Sequence, residues 1–267
     1  MSSGVAQIPD VQAKPDSRQI AIDKVGVRGI RYPITLATKS GQEQTTVAMV
    51  NMFVSLPHHQ KGTHMSRFLE ILNEVATPLT PENTPLVAKK ISEKLDAEHA
   101  HLEMQFPYFI EKLAPVTKTP GLMDYAVTMT LESNKKNDFI LSVKAPATSL
   151  CPCSKEISEY GAHNQRCEIE AAVRFKETMW IEDLVEHLES SASAPVYAAL
   201  KRPDEKFVTE EAFDNPKFVE DIVRDLAIRL EDDPRVTWYS INSENFESIH
   251  NHNAYAQITR DKREEQG

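Results

Sequence analysis

Two of the chain's three cysteines and a histidine fall in one short stretch, Ser149-Leu150-Cys151-Pro152-Cys153-Ser154-Lys155-Glu156 followed by Gly161-Ala162-His163-Asn164-Gln165-Arg166. A thiolate and a neutral imidazole both bind divalent transition metals. A carboxylate from elsewhere would complete a three-ligand site with one position left for water, the arrangement of catalytic rather than structural metals. The same residues admit a second chemistry, in which Cys151 or Cys153 is a nucleophile activated by His163, or the two thiols form a redox pair. Cys-X-Cys matches the zinc-knuckle and thioredoxin-like patterns poorly, and no second cysteine pair exists to close a four-thiolate site. The plainest alternative is that the cysteines are small buried apolar residues.

Other stretches offer complementary groups. Lys201-Arg202-Pro203-Asp204-Glu205-Lys206 reads as a charged loop in which Glu205 could supply the missing carboxylate, with solvation as the simpler reading. Glu220 falls in the first turn of a helix, where the dipole favours a carboxylate; facing a pocket, its two oxygens suit the paired N–H donors of a guanine edge. His250 and His252 point to one side of an extended chain, a placement suited to proton transfer near neutral pH. The loop Pro57-His58-His59-Gln60-Lys61-Gly62-Thr63-His64-Met65-Ser66-Arg67 leads into a helix and reads either as an anion site or as a solvated loop.

The elements that must position these groups follow from periodicity. Ile30, Tyr32, Ile34 and Leu36 alternate, turn through Lys39-Ser40-Gly41-Gln42, and resume from Thr45 to Val54 as a hairpin. Two helices follow, the first with an apolar face of Met65, Phe68, Leu69 and Leu72, the second starting near Pro81-Glu82-Asn83-Thr84-Pro85 and carrying Leu86, Ile91 and Leu95. Two strands come next, with Leu102, Met104 and Phe106 on one and Tyr125, Val127, Met129 and Leu131 on the other. The order then recurs: strands over 138–143 and 167–175 flank the Cys/His loop, helices run over 180–188 and after Pro216, and strands over 235–241 and 252–258 close the set. Two copies of ββααββ predict an α+β fold of tandem related modules, 21–134 and 135–267, with antiparallel sheets, helices on one face, and sheet edges closed into a barrel by oligomerisation. Residues 1–20 are polar and aperiodic, the pattern of a disordered or loosely attached arm.

The composition excludes several classes. With 267 residues and 40% hydrophobic content, the chain can build a substantial core. The net charge of −10 argues against a nucleic-acid surface. No apolar run is long enough to span a membrane, no signal peptide precedes the chain, and three cysteines make no disulfide framework; a cytoplasmic protein is expected.

Together, the Lys61-Gly62-Thr63-His64-Met65-Ser66-Arg67 stretch, the Cys/His stretch, Glu220 and His250-Asn251-His252-Asn253 resemble the type IB GTP cyclohydrolases, the zinc-independent bacterial branch of the tunnelling-fold superfamily. The resemblance spans nearly the whole chain after the arm. It implies a homotetramer with active sites at subunit interfaces, and conversion of GTP and water to formate and 7,8-dihydroneopterin triphosphate, the entry to tetrahydrofolate synthesis. It further implies one divalent metal per site (Mn, Fe or Zn) held by Cys151, His163 and Glu205, with Asp204 and Glu210 as alternatives to Glu205. Glu220 would then anchor the purine, His250 and His252 would move protons, and Lys61, His64 and Arg67 would hold the triphosphate. Opening the purine at C8 requires a nucleophilic water at neutral pH, and imidazoles titrating near about 6.5 suit the proton transfers that follow. Relatives with other chemistries remain as contrasts: an archaeal-type cyclohydrolase with a cyclic phosphate product, a deazapurine nitrile reductase with a cysteine nucleophile, and a non-catalytic metal- or pterin-binding oligomer.

Overall fold

The computed structural model describes residues 11–12, 14–74, 78–133 and 137–263. Strands β1 (Ile22–Ala37) and β2 (Glu43–Leu56) form the first hairpin, followed by helices α1 (Met65–Glu74) and α2 (Thr84–Leu95) and strands β3 (Ala100–Leu113) and β4 (Pro120–Ser133). The second half runs β5 (Asp138–Leu150), α3 (Pro152–Ile157), β6 (Asn164–Phe175), α4 (Ile181–Glu189), β7 (Ala194–Pro195), α5 (Arg202–Asp214), α6 (Val219–Asp232), β8 (Val236–Asn245) and β9 (Ala254–Asp261). All strands join one antiparallel sheet in the order β1-β2-β3-β4-β5-β6-β8-β9, with short β7 paired to β5.

The period-2 alternation decides which face is covered. Leu102, Met104 and Phe106 on β3, Val127, Met129 and Leu131 on β4, Leu141 and Val143 on β5, and Ile169 and Val173 on β6 are all buried in one core with Phe68, Ile91, Leu184, Leu188, Ile222 and Leu226 from the helices. The opposite face is polar, with Asn51 donating to Glu103 (2.9 Å), Ser142 to Glu170 (2.9 Å) and Arg174 to both Asp138 oxygens (2.7 and 2.8 Å). A sheet covered on one side reads as alternating sequence, which is why these strands were legible. Strands β1 and β9 remain as open edges. In β1 a register shift between Val27 and Ile30 is accommodated at Gly29, whose φ of 75° a side chain would resist.

Several expectations are corrected. The buried stripe of α1 is Phe68, Ile71 and Leu72, whereas Met65 and Leu69 are exposed; both stripes are apolar, and packing against α2 and β1 selects one. Strand β5 runs seven residues past Val143, up to Cys151, with Pro146 inside it. Pro146 is tolerated because pairing with β4 ends at Lys144 and β7 joins only at Ala147, so its missing N–H breaks no ladder bond on that side. The charged stretch 201–206 is not a loop but the start of α5, with Pro203 in the first turn and Asp204 and Glu205 at the helix N-terminus. His250 and His252 lie in the loop before β9 rather than on a strand. Of the arm expected over 1–20, residues 1–10 and 13 lie outside the described residues. Beyond them, Asp16 N–H donates to His59 O (3.0 Å) and Lys61 N–H to Lys14 O (3.2 Å), laying this segment along the loop after β2.

The halves are locked at Asp183 in the first turn of α4. Its carboxylate pairs with Lys39 from the first hairpin and Arg235 ahead of β8 (2.7 Å to Nη1), while Arg235 Nη2 reaches Asp233 at 2.7 Å. Burial alone would raise both carboxyls. Bonds from Lys39 and Arg235 hold Asp183 below its usual range, and those from Arg235 hold Asp233 at about 2. The stability these groups contribute is complete above their unfolded value of 3.8 and is lost as pH falls toward 2. Asp183→Asn is expected to cost about 3 kcal/mol in urea unfolding at pH 7, by stranding Arg235, and the deficit is expected to narrow below pH 4.

Candidate functional site

The register of β5 and β6 builds the centre of the site. Leu150 faces Asn164 and Ser149 faces Gln165, so the next step of the same ladder sets Cys151 opposite His163, and Cys151 N–H donates to His163 O at 3.1 Å. Directly opposed residues of an antiparallel pair project to the same side, so the thiol and the imidazole share a face although twelve positions separate them in sequence. Cys151 also caps α3. Its Sγ accepts from Ser154 N–H at 3.5 Å, and Ser154 Oγ donates to Cys151 O (3.2 Å) and accepts from His163 N–H (3.1 Å).

The ring of His163 is oriented by its neighbours. Gln165 Oε1 lies 2.8 Å from Nδ1 and Ser248 Oγ lies 3.2 Å from it. An amide oxygen only accepts, so Nδ1 carries the hydrogen and Nε2 presents its lone pair, the state in which imidazole binds a metal. Gln165 and Ser248 had no role in the sequence reading. Gln165 was findable, because two residues on from His163 in a strand is the same face. Ser248, from the loop after β8, was not.

Further elements converge on this end of the sheet. Lys217 N–H donates to Leu150 O (3.0 Å) and Ser149 Oγ to Lys217 O (3.2 Å), so the entry to α6 is fastened beside Cys151. Glu220 follows in the first turn of α6, exposed and, among the described residues, without a hydrogen-bond or ion partner; the N-terminal cap is made instead by Asp221, which accepts from Phe218 N–H at 3.0 Å. Asn245 Nδ2 donates to Ser149 Oγ at 2.9 Å in the interior, tying β8 to the same residue. The loop that follows carries Ser248 and then His250 and His252, whose exposed rings stack with centroids 5.1 Å apart.

The three carboxylates considered for the third ligand separate clearly. Asp204 is 0% exposed and its two oxygens accept four hydrogen bonds: from Val116 N–H (2.9 Å), Thr117 N–H (2.8 Å), Thr117 Oγ1 (2.6 Å) and Lys201 N–H (3.0 Å). Burial alone would raise this carboxyl; the donors, led by Thr117, outweigh it and hold it well below the usual range. Glu210 pairs with Lys206. Glu205 has no partner for its side chain among the described residues. It shares a helix face with Val208 and Ala212, which pack with Leu150 and Ala162, the neighbours of Cys151 and His163. Among the described residues no three His, Cys, Asp or Glu side chains are gathered closely enough to hold a metal. The donor chemistry of Cys151 and His163 fits a borderline-soft divalent cation, and Glu205 is the free carboxylate on the adjoining helix face. Cys153 is exposed.

Lys61, His64 and Arg67 are not brought to this place. They follow β2, whose C-terminal end aligns with the start of β3 and β5, whereas Cys151 follows the far end of β5. Thirteen residues of strand separate the two ends, roughly 40 Å.

A family model described as type I GTP cyclohydrolase folE2 matches residues 8–256. The chain belongs to this family. A GTP cyclohydrolase FolE2 from Syntrophobacter fumaroxidans is 58% identical over 255 residues, covering 95% of this chain and 99% of its own length. Another from Nitrosococcus oceani is 55% identical, covering 96% of each chain. Among solved structures, a uricase from Bacillus fastidious superposes with a TM-score of 0.56 over 93% of this chain and 94% of its own, at 8% identity. A hyperthermostable urate oxidase mutant from Bacillus sp. TB-90 gives 0.53 over 91% of this chain and 99% of its own, at 10% identity. These are tunnelling-fold proteins, and at such identities the likeness is one of fold.

Ser149 is the joint between β5, β8 and α6. Ser149→Ala strands a buried amide of Asn245, and a loss of about 2 kcal/mol in urea unfolding is expected.

Proposed function

We propose that the protein is a cytoplasmic GTP cyclohydrolase that converts GTP and water to formate and 7,8-dihydroneopterin triphosphate, the entry to tetrahydrofolate synthesis. The observation that carries this reading is the opposition of Cys151 and His163 across the β5–β6 ladder in a chain of this family, with Glu220, His250 and His252 at the same end of the sheet. Among the described residues no helix is long and apolar enough to cross a membrane.

Cys151, His163 and Glu205 would hold the divalent cation, with Mn, Fe and Zn all compatible with a mixed sulfur, nitrogen and oxygen set. When bound, the cation supplies a Lewis acid that makes water nucleophilic at neutral pH. The remaining roles belong to side chains. Glu220 accepts from the paired N–H donors of the guanine edge, fixing the ring so that C8 faces Cys151 and His163. His250 and His252 deliver protons to N7 and N9 as their bonds to C8 break, and take protons up again as the ribose carbons isomerise and the new ring closes. Gln165 and Ser248 keep the His163 ring in one orientation throughout.

The triphosphate requires cations, and Lys61, His64 and Arg67 stand at the opposite end of the sheet. We infer that a second copy brings them to the Cys151 end, in a homotetramer whose open β1 and β9 edges are paired and whose active sites lie between subunits. The long separation within one protomer supports this assembly.

Incubation with GTP and Mn²⁺ is expected to release formate and a product that oxidises to a fluorescent pterin, with Cys151→Ala and His163→Ala folded but inactive. Full turnover by metal-stripped Cys151→Ala would remove the reading. Glu220→Ala is expected to weaken GTP and guanosine alike by about tenfold or more, while Arg67→Ala weakens GTP far more than guanosine. Competition binding with the two ligands measures both, and equal losses for Arg67→Ala would take that residue out of the triphosphate site.

A further inference from the structure

We propose that Thr117 and Asp204 form a clasp that positions Glu205, so that the hairpin between β3 and β4 sets the affinity of a metal held by Cys151 and His163. The inference deepens the reading above and rests on Glu205 as the third ligand.

Helix α5 has little apolar anchorage. Of its thirteen residues only Asp204 and Ala212 are buried, and the apolar cluster beneath it consists of Leu150, Ala194 and Ala212 with Ala162 and Val208 at its margin. Most of that contact is with alanine, which contributes little buried area. Polar fastenings therefore decide how the helix is rotated about its axis. At its C-terminal end Lys155 of α3 bonds Phe213 O and lies over the Phe213 ring, 4.3 Å from the centroid. At its N-terminal end the fastening is Asp204, one residue before Glu205.

Asp204 reaches across to a turn that is itself well tied. Ala114 N–H donates to Thr119 O (2.9 Å), Lys118 N–H to Ala114 O (3.2 Å), and Thr117 Oγ1 lies 2.9 Å from Thr119 Oγ1. Because Thr117 Oγ1 donates its one hydrogen to Asp204 Oδ2, Thr119 is the donor to Thr117. Successive side chains on a helix diverge by about 100°. With Asp204 held on the hairpin, Glu205 is turned toward the side of Val208 and Ala212, against Leu150 and Ala162. A loosened clasp lets the first turn of α5 rotate and withdraws Glu205, leaving sulfur and nitrogen donors without their carboxylate. Outer partners of this kind commonly change metal affinity by about 10–100-fold.

The test is Mn²⁺ binding to the metal-stripped full-length protein, read by competition with a chromophoric chelator. Thr117→Val is expected to weaken Mn²⁺ about tenfold, Thr117→Ser to restore binding to within about twofold of the parent, and Lys206→Ala, on the exposed side of the same helix, to change nothing. In a Glu205→Ala background Thr117→Val is expected to have no further effect, because the carboxylate it positions is gone. A folded Thr117→Val protein that binds Mn²⁺ like the parent would overturn the clasp while leaving Glu205 as ligand. Additive losses in the double variant would also overturn it, since they mark general loosening. A Glu205→Ala protein with unchanged Mn²⁺ affinity would instead remove the ligand assignment, and the clasp's role with it.

Discussion

The site depends on the register of one strand pair. Antiparallel pairing of β5 and β6 sets residues whose numbers share a fixed sum opposite one another, and the last such step joins Cys151 to His163. A slip of one residue would turn the thiol and the imidazole to opposite faces of the sheet. That register is held by more than the ladder itself. Ser149 receives Asn245 from β8 and holds the entry to α6, and Leu150 N–H donates to Ser193 Oγ at 3.1 Å. The alternation that buries Val143, Ala145 and Ala147 beneath the helices works in the same direction, because a slipped strand would expose all three.

A chain with net charge −10 has carboxylates to spare, and the fold divides them into two kinds. Asp183, Asp204 and Asp233 are buried and satisfied by Lys39, Arg235, Thr117 and backbone N–H groups; they fasten helices to strands. Glu205 and Glu220 stand on helix first turns, exposed and without side-chain partners among the described residues. The difference is physical: a short Asp side chain at a helix start reaches backbone donors nearby, whereas the longer Glu projects clear of the cap. In α5 and α6 alike, an anchoring Asp lies next to a free Glu. Two helices thus deliver reactive carboxylates from rigidly held ends.

The sheet also separates what one protomer can do alone. Its polar face and open β1 and β9 edges are unpaired within the chain, and the cation-rich loop after β2 stands a strand's length from the thiol and imidazole. An anion bound through its charged tail at one end of a protomer cannot place its ring at the other. Completion by a second copy is the economical resolution, and it makes activity a property of the assembly.

The sequence by itself determined the kinds of groups and the kind of fold. Alternation along Leu102, Met104 and Phe106 or Tyr125, Val127, Met129 and Leu131 is local and survives in any window, so strands, their buried face and the α+β class were readable. So was the pairing of thiol with imidazole as donors. Tertiary structure alone decided the rest, for reasons that lie outside any window. Pro146 hid the run of β5 to Leu150, because only the position of β4 and β7 shows that its missing N–H is harmless. The stretch 201–206 looked like solvated charge until the β3–β4 turn, more than eighty residues away in sequence, supplied Val116 and Thr117 as partners for Asp204. The choice of Glu205 over Asp204 therefore rests on which side of α5 meets that turn. Side-chain type is a local property, but its partner is a long-range one, and a carboxylate becomes an anchor or a ligand according to what the folded chain brings to it.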